Sequence, residues 1–365
     1  MTTKPKLIYV PIEPLKERYT ESWYRNFPIL FSDAGYEVTV IDGTPLEDEV
    51  KVGAFLDINS TIHYKATQIK ELSRMFNEKI IEPNTIIFVA DTEFWGLESI
   101  RLMSELNQVP IKLVSFLHAA SYTYEDCFAV AAPYQQYTEL GWIAACDLVF
   151  VGSHYHKNAV IERRLLGMNA IHLADRIAVT GNPIFDDYPV YPEIQKTKKI
   201  VLTNRFDKEK RPNETLKLFK SVATEFPDWE FVVTTGRSTF RGSEDTSLAL
   251  RYQSEGWLKI KANLSKDEYH RELASAHVMV THSIEENYGF CIAEAINYGC
   301  YPLMRWGRSH NEFVPKDGSG KYLFTDERSA RSKLLYFMQQ FGTPSPLMLD
   351  TLGGSRIIEN IKGLM

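Results

Sequence analysis

Glu286 and Glu294 lie eight residues apart, with Gly289 between them and an apolar run following it. The apolar stretch Val278 to Val280 reads as a strand, and the Ser/Thr/His residues after it read as a turn. Glu286 is then expected in a strand-to-helix loop and Glu294 about two turns into the helix. Both would face the crevice at the carboxyl end of a parallel strand, where open α/β sheets bind ligands. A carboxylate that accepts hydrogen bonds from vicinal hydroxyls reads sugar and ribose rings. The alternative is a capped helix carrying a solvated glutamate.

Positive charge stands upstream. Arg205 and Lys210 follow the strand at 199–203, five residues apart. An Arg fork with a Lys point charge can neutralise a leaving phosphate without a metal, although the same residues could form a solvated charge run with Lys208, Glu209 and Arg211. The N–H groups of Tyr288, Gly289 and Phe290 would open the next helix and offer an anion-friendly N-terminus. Gly236 and Arg237 end another strand and either line a nucleotide pocket or make a simple turn. Asp91 and His118 end strands in the first half. Asp91 could orient a substrate hydroxyl, take its proton, or cap a helix. Glu13, Arg18, Tyr19 and Trp23 fall in the segment from Pro11 to Tyr24, read as a long loop. Loops at strand carboxyl ends are where a second substrate sits, and aromatics with Arg can stack on a ring or close as a packed lid.

These residues need a scaffold of alternating strands and helices, and the chain supplies one. Strands are expected at 7–10, 37–41, 85–90, 112–117 and 148–151, with a helix at 26–34. A Pro-rich stretch from Gly181 to Pro192 holds Pro183, Pro189 and Pro192 and has no helical period, which marks a domain boundary. The pattern restarts with strands at 199–203, 230–235, 278–280 and 301–304. Helices are expected at 213–226 and 266–276, and from about 327 and 346 onward. The fold class is α/β with two doubly wound Rossmann-like domains, at 1–185 and 186–345; a helix over 346–365 returns to the first domain.

The chain has 365 residues, 44% hydrophobic and 24% charged, with a net charge of −6. That composition is of a globular protein with a large core, and the acidity argues against a broad basic coat for nucleic acid or anionic membrane. Cys127, Cys146, Cys291 and Cys300 have no C-x-x-C spacing, and no Asp-x-Asp motif or His/Cys cluster has metal-ligand spacing. A reducing, cytoplasmic setting without membrane association or a required metal is expected. The absence of G-x-G-x-x-G after a strand weighs against a dinucleotide dehydrogenase.

Several segments, in order, resemble glycosyltransferase family 4, a retaining GT-B group whose two domains face a central cleft. They are Gly181-Asn182-Pro183, Asn204 to Lys210, Leu264 to Tyr269, and Glu286 to Gly299 with its glutamate pair. The resemblance implies a nucleotide-sugar donor, expected to be a UDP-sugar. Arg205 and Lys210 would lie on its phosphates, Glu294 on the ribose, Glu286 on the sugar, and His118 beside the sugar. The segment from Pro11 to Thr20 departs from the glycine-rich loop of that family. With Phe55-Leu56-Asp57 and the His118 region it resembles glycosyltransferases of T-even-like tailed phages. That likeness implies a hydroxymethylated pyrimidine in duplex DNA as acceptor and the host cytoplasm as location, with Lys157, Arg163, Arg164, Arg305 and Arg308 available for a DNA-facing groove. A cell-envelope glycan acceptor, or a non-catalytic sugar-nucleotide-binding protein, is the alternative.

Overall fold

The structure, a computed structural model, describes residues 4–15, 18–46, 58–123, 134–185, 188–235, 246–315, 319–343 and 345–365. Contacts divide the chain into two compact units, residues 1–185 with 351–365, and residues 186–350.

Among the described residues, each unit holds one six-stranded sheet, with every strand pairing parallel. In the first, β1 (Lys6–Val10), β2 (Glu37–Val40), β3 (Ile86–Val89), β4 (Lys112–Leu117), β5 (Leu148–Val151) and β6 (Ile177–Val179) run in the order 2-1-3-4-5-6. The strands from β3 to β5 are almost continuous apolar runs, buried on both faces, as a helix-covered parallel sheet requires. In the second, β7 (Lys199–Leu202), β8 (Glu230–Thr234), β9 (Leu258–Lys261), β10 (Val278–Thr281), β11 (Tyr301–Arg305) and β12 (Leu323–Phe324) run in the order 12-11-10-7-8-9. The chain reverses direction of winding between β1 and β3 in the first sheet and between β7 and β10 in the second. Those two switch points are where a doubly wound sheet opens a crevice at its carboxyl edge.

The helices wind between strands: α1 (Tyr19–Asp33), α2 (Ile58–Asn77), α3 (Leu97–Leu106), α4 (Gln135–Ala145) and α5 (His154–Val160) in the first unit. The second unit carries α6 (Pro212–Ala223), α7 (Ser247–Ser254), α8 (Lys266–Ser275), α9 (Phe290–Asn297) and α10 (Glu327–Gln339); α11 (Gly353–Lys362) belongs to the first. The helix expected at 26–34 starts seven residues earlier, at Tyr19, so the segment from Tyr19 to Tyr24 is helix and not loop. The cause is packing. Trp23, Phe27 and Phe31 recur every fourth residue, all buried, and this apolar stripe extends the helix N-terminal of Pro28. The last helix likewise begins at Gly353 instead of 346, where the buried Ile357 and Ile361 set its period. Its first turn lies so close to the chain that a Cβ on Gly353 would stand 2.8 Å from the Asn182 carbonyl oxygen.

Candidate functional site

Two clusters of polar side chains occupy the switch points, one in each unit. In the second unit the loop after β7 runs through a short 3-10 turn, Lys208–Lys210, into α6, and the loop after β10 runs through Glu286 into α9. The two loops are stitched together by backbone: Ile284 N–H donates to the Glu209 carbonyl at 2.8 Å. Across that seam Lys210 Nζ donates to Glu286 Oε1 at 2.7 Å and to the Glu285 carbonyl at 2.9 Å. Both side chains are largely buried. Burial alone would push the Glu286 pKa up, but the Lys210 charge and hydrogen bond outweigh it and hold the carboxyl below its usual range. The same pairing raises the Lys210 ammonium against the pull of burial. At neutral pH the site therefore carries an ionised pair at the root of α9.

Gly289 precedes α9 with φ of +99°, the left-handed region that glycine enters without strain. Ser309 fixes this turn from outside, its hydroxyl donating to the carbonyls of Glu286 (3.0 Å) and Tyr288 (2.8 Å). The Tyr288 ring packs on Phe290 and Phe313. One turn into α9, Glu294 is 5% exposed and fully engaged. Lys266 Nζ donates to its Oε1 at 2.6 Å, Tyr188 OH to Oε1 at 3.3 Å, and Tyr269 OH to Oε2 at 2.8 Å. Glu286 thus sits on the loop expected for it and Lys210 lies with it, while Glu294 sits on the expected helix one turn in, not two, because α9 starts only at Phe290. Arg205 is 43% exposed and turns to Asp207 (2.8 Å) and Glu209 (3.4 Å), within its own loop. Gly236 and Arg237 lie outside the described residues. Lys266 and Tyr269 went unread as site residues. Their sequence signal was the Ser265 capping box that starts α8 and aims this helix's first turn at Glu294.

In the first unit, Asp91 and His118 stand at the carboxyl ends of β3 and β4. Lys65 Nζ donates to Asp91 Oδ2 at 2.6 Å and also to the Glu93 carbonyl, while Asp91 Oδ1 accepts from Glu93 N–H at 3.0 Å. Asp91 is thus not a helix cap; α3 starts only at Leu97. Burial raises its pKa, but the Lys65 charge, with the hydrogen bonds from Lys65 and the Glu93 N–H, more than reverses this, so it stays ionised. His118 Nε2 donates to the Ala90 carbonyl at 2.9 Å, and its ring packs on Phe116, Trp23 and Tyr19. Burial lowers its pKa despite Asp91, so the ring is neutral with Nδ1 as the acceptor nitrogen.

The segment expected to hold the second substrate is corrected in part. Trp23 is 1% exposed, packs edge-on against Phe27 and Phe116, and donates through Nε1 to the Pro183 carbonyl at 3.3 Å. Its ring belongs to the core of the first unit. Tyr19 opens α1 beside His118, and Arg18 precedes it. Glu13 is buried, accepting from Thr61 Oγ1 at 3.2 Å. Lys65, absent from the sequence reading, lies one turn from Thr61 on the buried face of α2, where its neighbours Thr61 and Gln68 are polar and give no apolar stripe to mark it.

The basic residues expected to line a DNA groove are also engaged internally. Arg164 forms a buried pair with Glu139 at 2.7 Å, Lys157 donates to the Ile177 carbonyl at 2.6 Å, and Arg163 to the Tyr122 carbonyl at 3.2 Å. Arg308 donates to the Ile284 carbonyl at 2.8 Å, and Arg305 stands 3.6 Å from Glu214. No helix among the described residues is long and apolar enough to cross a membrane. Phe55-Leu56-Asp57 and Cys127 lie outside the described residues.

Residues 186–332, within the second unit, match the family model described as glycosyl transferases group 1. No curated protein sequence matches the chain. Among solved structures, the chain is similar to the pneumococcal O-GlcNAc transferase GtfA, in complex with UDP and GlcNAc, at 16% identity and a TM-score of 0.52. That match covers 83% of this chain and 57% of the other, so this chain spans little more than half its length. The catalytic domain of starch synthase IV from Arabidopsis thaliana, bound to ADP and acarbose, matches with 11% identity and a TM-score of 0.63, over 99% of this chain and 95% of that one. Sucrose-phosphate synthase from Thermosynechococcus elongatus matches with 14% identity and a TM-score of 0.63, over the same shares. At these identities the likeness shows the fold, an α/β architecture of the GT-B type.

Proposed function

We propose that this protein is a nucleotide-sugar-dependent glycosyltransferase of the retaining kind, working without a catalytic metal. The observation that carries this reading is the Lys210–Glu286 pair, held at the switch point of the second sheet with Glu294 on the next helix. Within the region that matches group 1 glycosyl transferases, it sets a cation, a sugar-reading carboxylate and a ribose-reading carboxylate on adjoining segments.

In this reading Lys210 and Arg205 meet the donor diphosphate, with Arg205 leaving Asp207 and Glu209 to do so. Gly236 and Arg237 belong to the same nucleotide pocket, and a UDP-sugar is the expected donor. The N–H groups of Tyr288, Gly289 and Phe290 face the phosphates, and preorganised donors of this kind stabilise charge that develops on a leaving group. Glu294 takes the ribose hydroxyls, exchanging the phenols of Tyr188 and Tyr269 for them. The bond from the anomeric carbon to the phosphate oxygen breaks, and the acceptor oxygen bonds to that carbon on the same face. The acceptor proton passes to the departing phosphate. Glu286, already paired with Lys210, clamps the sugar and steadies positive charge on the ring; it is not the nucleophile.

His118, Asp91, Glu13, Arg18 and Tyr19 are assigned to the sugar and acceptor side. Glu13, Asp91 and Glu93 give that edge three carboxylates near Lys65, and the basic residues once available for DNA are turned to carbonyls and carboxylates of their own unit. A phosphate backbone meets repulsion there, whereas a neutral hydroxyl-bearing glycan meets acceptors. The glycan acceptor is therefore preferred to hydroxymethylated DNA.

Thermal shift with UDP-, GDP- and ADP-sugars identifies the donor. Transfer is then assayed onto glycans and onto hydroxymethylated and plain DNA, with the anomeric configuration read by NMR. Glu286→Ala is expected to retain nucleotide binding and lose transfer by about 10²–10³-fold. Undiminished transfer by that variant, or an inverted product, removes the mechanism; transfer to modified DNA alone restores the DNA acceptor.

A further inference from the structure

On the far side of the loop that carries Glu286, three residues with no place in the transfer chemistry converge. His282 follows β10, Glu214 lies in the first turn of α6, and Glu327 is the first residue of α10. One ligating atom from each lies within 4.8 Å of the other two. His282 is fully buried, and its Nδ1 is 2.9 Å from Thr215 Oγ1. Its Nε2 is buried without a hydrogen-bond partner and faces Glu327 Oε1 at 3.4 Å. In the tautomer where Nδ1–H donates to the Thr215 hydroxyl, the buried Nε2 lone pair faces a carboxylate oxygen, and a cation between them satisfies both.

We propose that Glu214, His282 and Glu327 form a binding site for a borderline divalent transition-metal ion, with Zn²⁺ the best match. One imidazole and two carboxylates suit Zn²⁺, while a buried imidazole disfavours Mg²⁺ and Ca²⁺, which take oxygen. Zinc bonds of about 2.0–2.1 Å set tetrahedral ligand atoms about 3.4 Å apart, the separation of the His282 and Glu327 atoms. Thr215 occupies the place of the outer partner that orients a ligating histidine. Two guanidinium groups attend the site: Arg211 Nη1 at 2.8 Å from Glu214 Oε1 and Arg305 Nη1 at 3.6 Å from Oε2. They oppose the ion, and Glu214 binds it by loosening the Arg305 contact. The three ligands come from the loop after β10, the start of α6 and the start of α10. The ion braces the root of the segment that ends in Glu286, while standing outside the transfer step.

The test uses the untagged full chain, stripped of metal, titrated with ZnCl₂ by calorimetry and with CoCl₂ by visible absorption. No sugar nucleotide is present, so the outcome is independent of the proposed activity. One ion per chain is expected, with the intense d–d bands of four-coordinate Co²⁺. Glu327→Gln alters an exposed side chain and keeps the fold; it is expected to weaken Zn²⁺ binding at least about tenfold, and Thr215→Val to weaken it about 10–100-fold. His282→Gln is expected to abolish it. Non-saturating binding, or one-to-one binding that persists unchanged in Glu327→Gln and Thr215→Val, overturns the proposal.

Discussion

Lys65 shows how much one side chain can hold at the edge of a sheet. It is nearly inaccessible, and its ammonium is divided between the Asp91 carboxylate and the Glu93 carbonyl. Breaking such a buried pair from one side leaves a desolvated charge behind, a loss of about 3–5 kcal/mol. Lys65→Met is therefore expected to lower the melting temperature of the first unit, and the deficit should depend on pH. The folded pKa of Asp91 is depressed, so its contribution is fully present above the unfolded value of 3.8 and is lost as pH falls through the folded value. The gap in melting temperature between the two proteins should be widest at neutral pH and narrow below pH 3.8. A gap that is constant or widens on acidification rejects this account of Lys65. The sequence made Asp91 legible, because an acid at the end of an apolar strand is a local signal. It hid Lys65, because nothing local distinguishes a lysine that faces inward from the many that face water. The same holds for His282, Glu214 and Glu327. Metal spacing can be read when ligands are neighbours in the chain, and these are brought together only by the order of strands.

At the scale of elements, strands were easier to read than helix starts. The runs at β3, β4 and β5 are apolar apart from Lys112 and Ser115 in β4, and polar residues bound them, so period and ends agree. Helix α1 starts seven residues before the expected 26 because the long-range packing of Trp23 on Phe116 extends it N-terminal of Pro28. The turn into α9 was legible as a glycine but not as a constraint. A Cβ at Gly289 would meet Ile292 Cδ1 at 3.0 Å, and its φ of +99° is foreign to alanine. Gly289→Ala is expected to cost about 1–3 kcal/mol and to shift the Tyr288–Phe290 N–H groups. Gly289→Asn should cost less, since asparagine tolerates the left-handed region better. Nucleotide-sugar affinity, measured by calorimetry, should fall in the order Gly, Asn, Ala; equal affinity for all three would show that this turn does not shape the donor site.

For the whole molecule, the two units are interleaved in the chain: the first is built from residues 1–185 and 351–365, with the second inserted between. In α11, Ile357 and Ile361 are fully buried, and Arg356 Nη1 donates to the Thr180 carbonyl at 3.3 Å. Burying each of these isoleucines is worth about 1.5–3 kcal/mol. A chain ending at Asp350 is expected to show two calorimetric transitions, the one for the second unit unchanged and the one for the first displaced to lower temperature. A single undisplaced transition would show that α11 adds nothing to the first unit.

The close seat of Gly353 beside Asn182 also sets a timetable for biosynthesis. The first 185 residues leave the ribosome without the helix that covers them, and 165 residues of the second unit must be made before it follows. At roughly 5–20 residues per second this is an interval on the order of 10–30 s. Throughout it the nascent first unit lacks the helix whose Ile357 and Ile361 are buried in the finished protein, so this is the window in which a chaperone or a protease meets the protein.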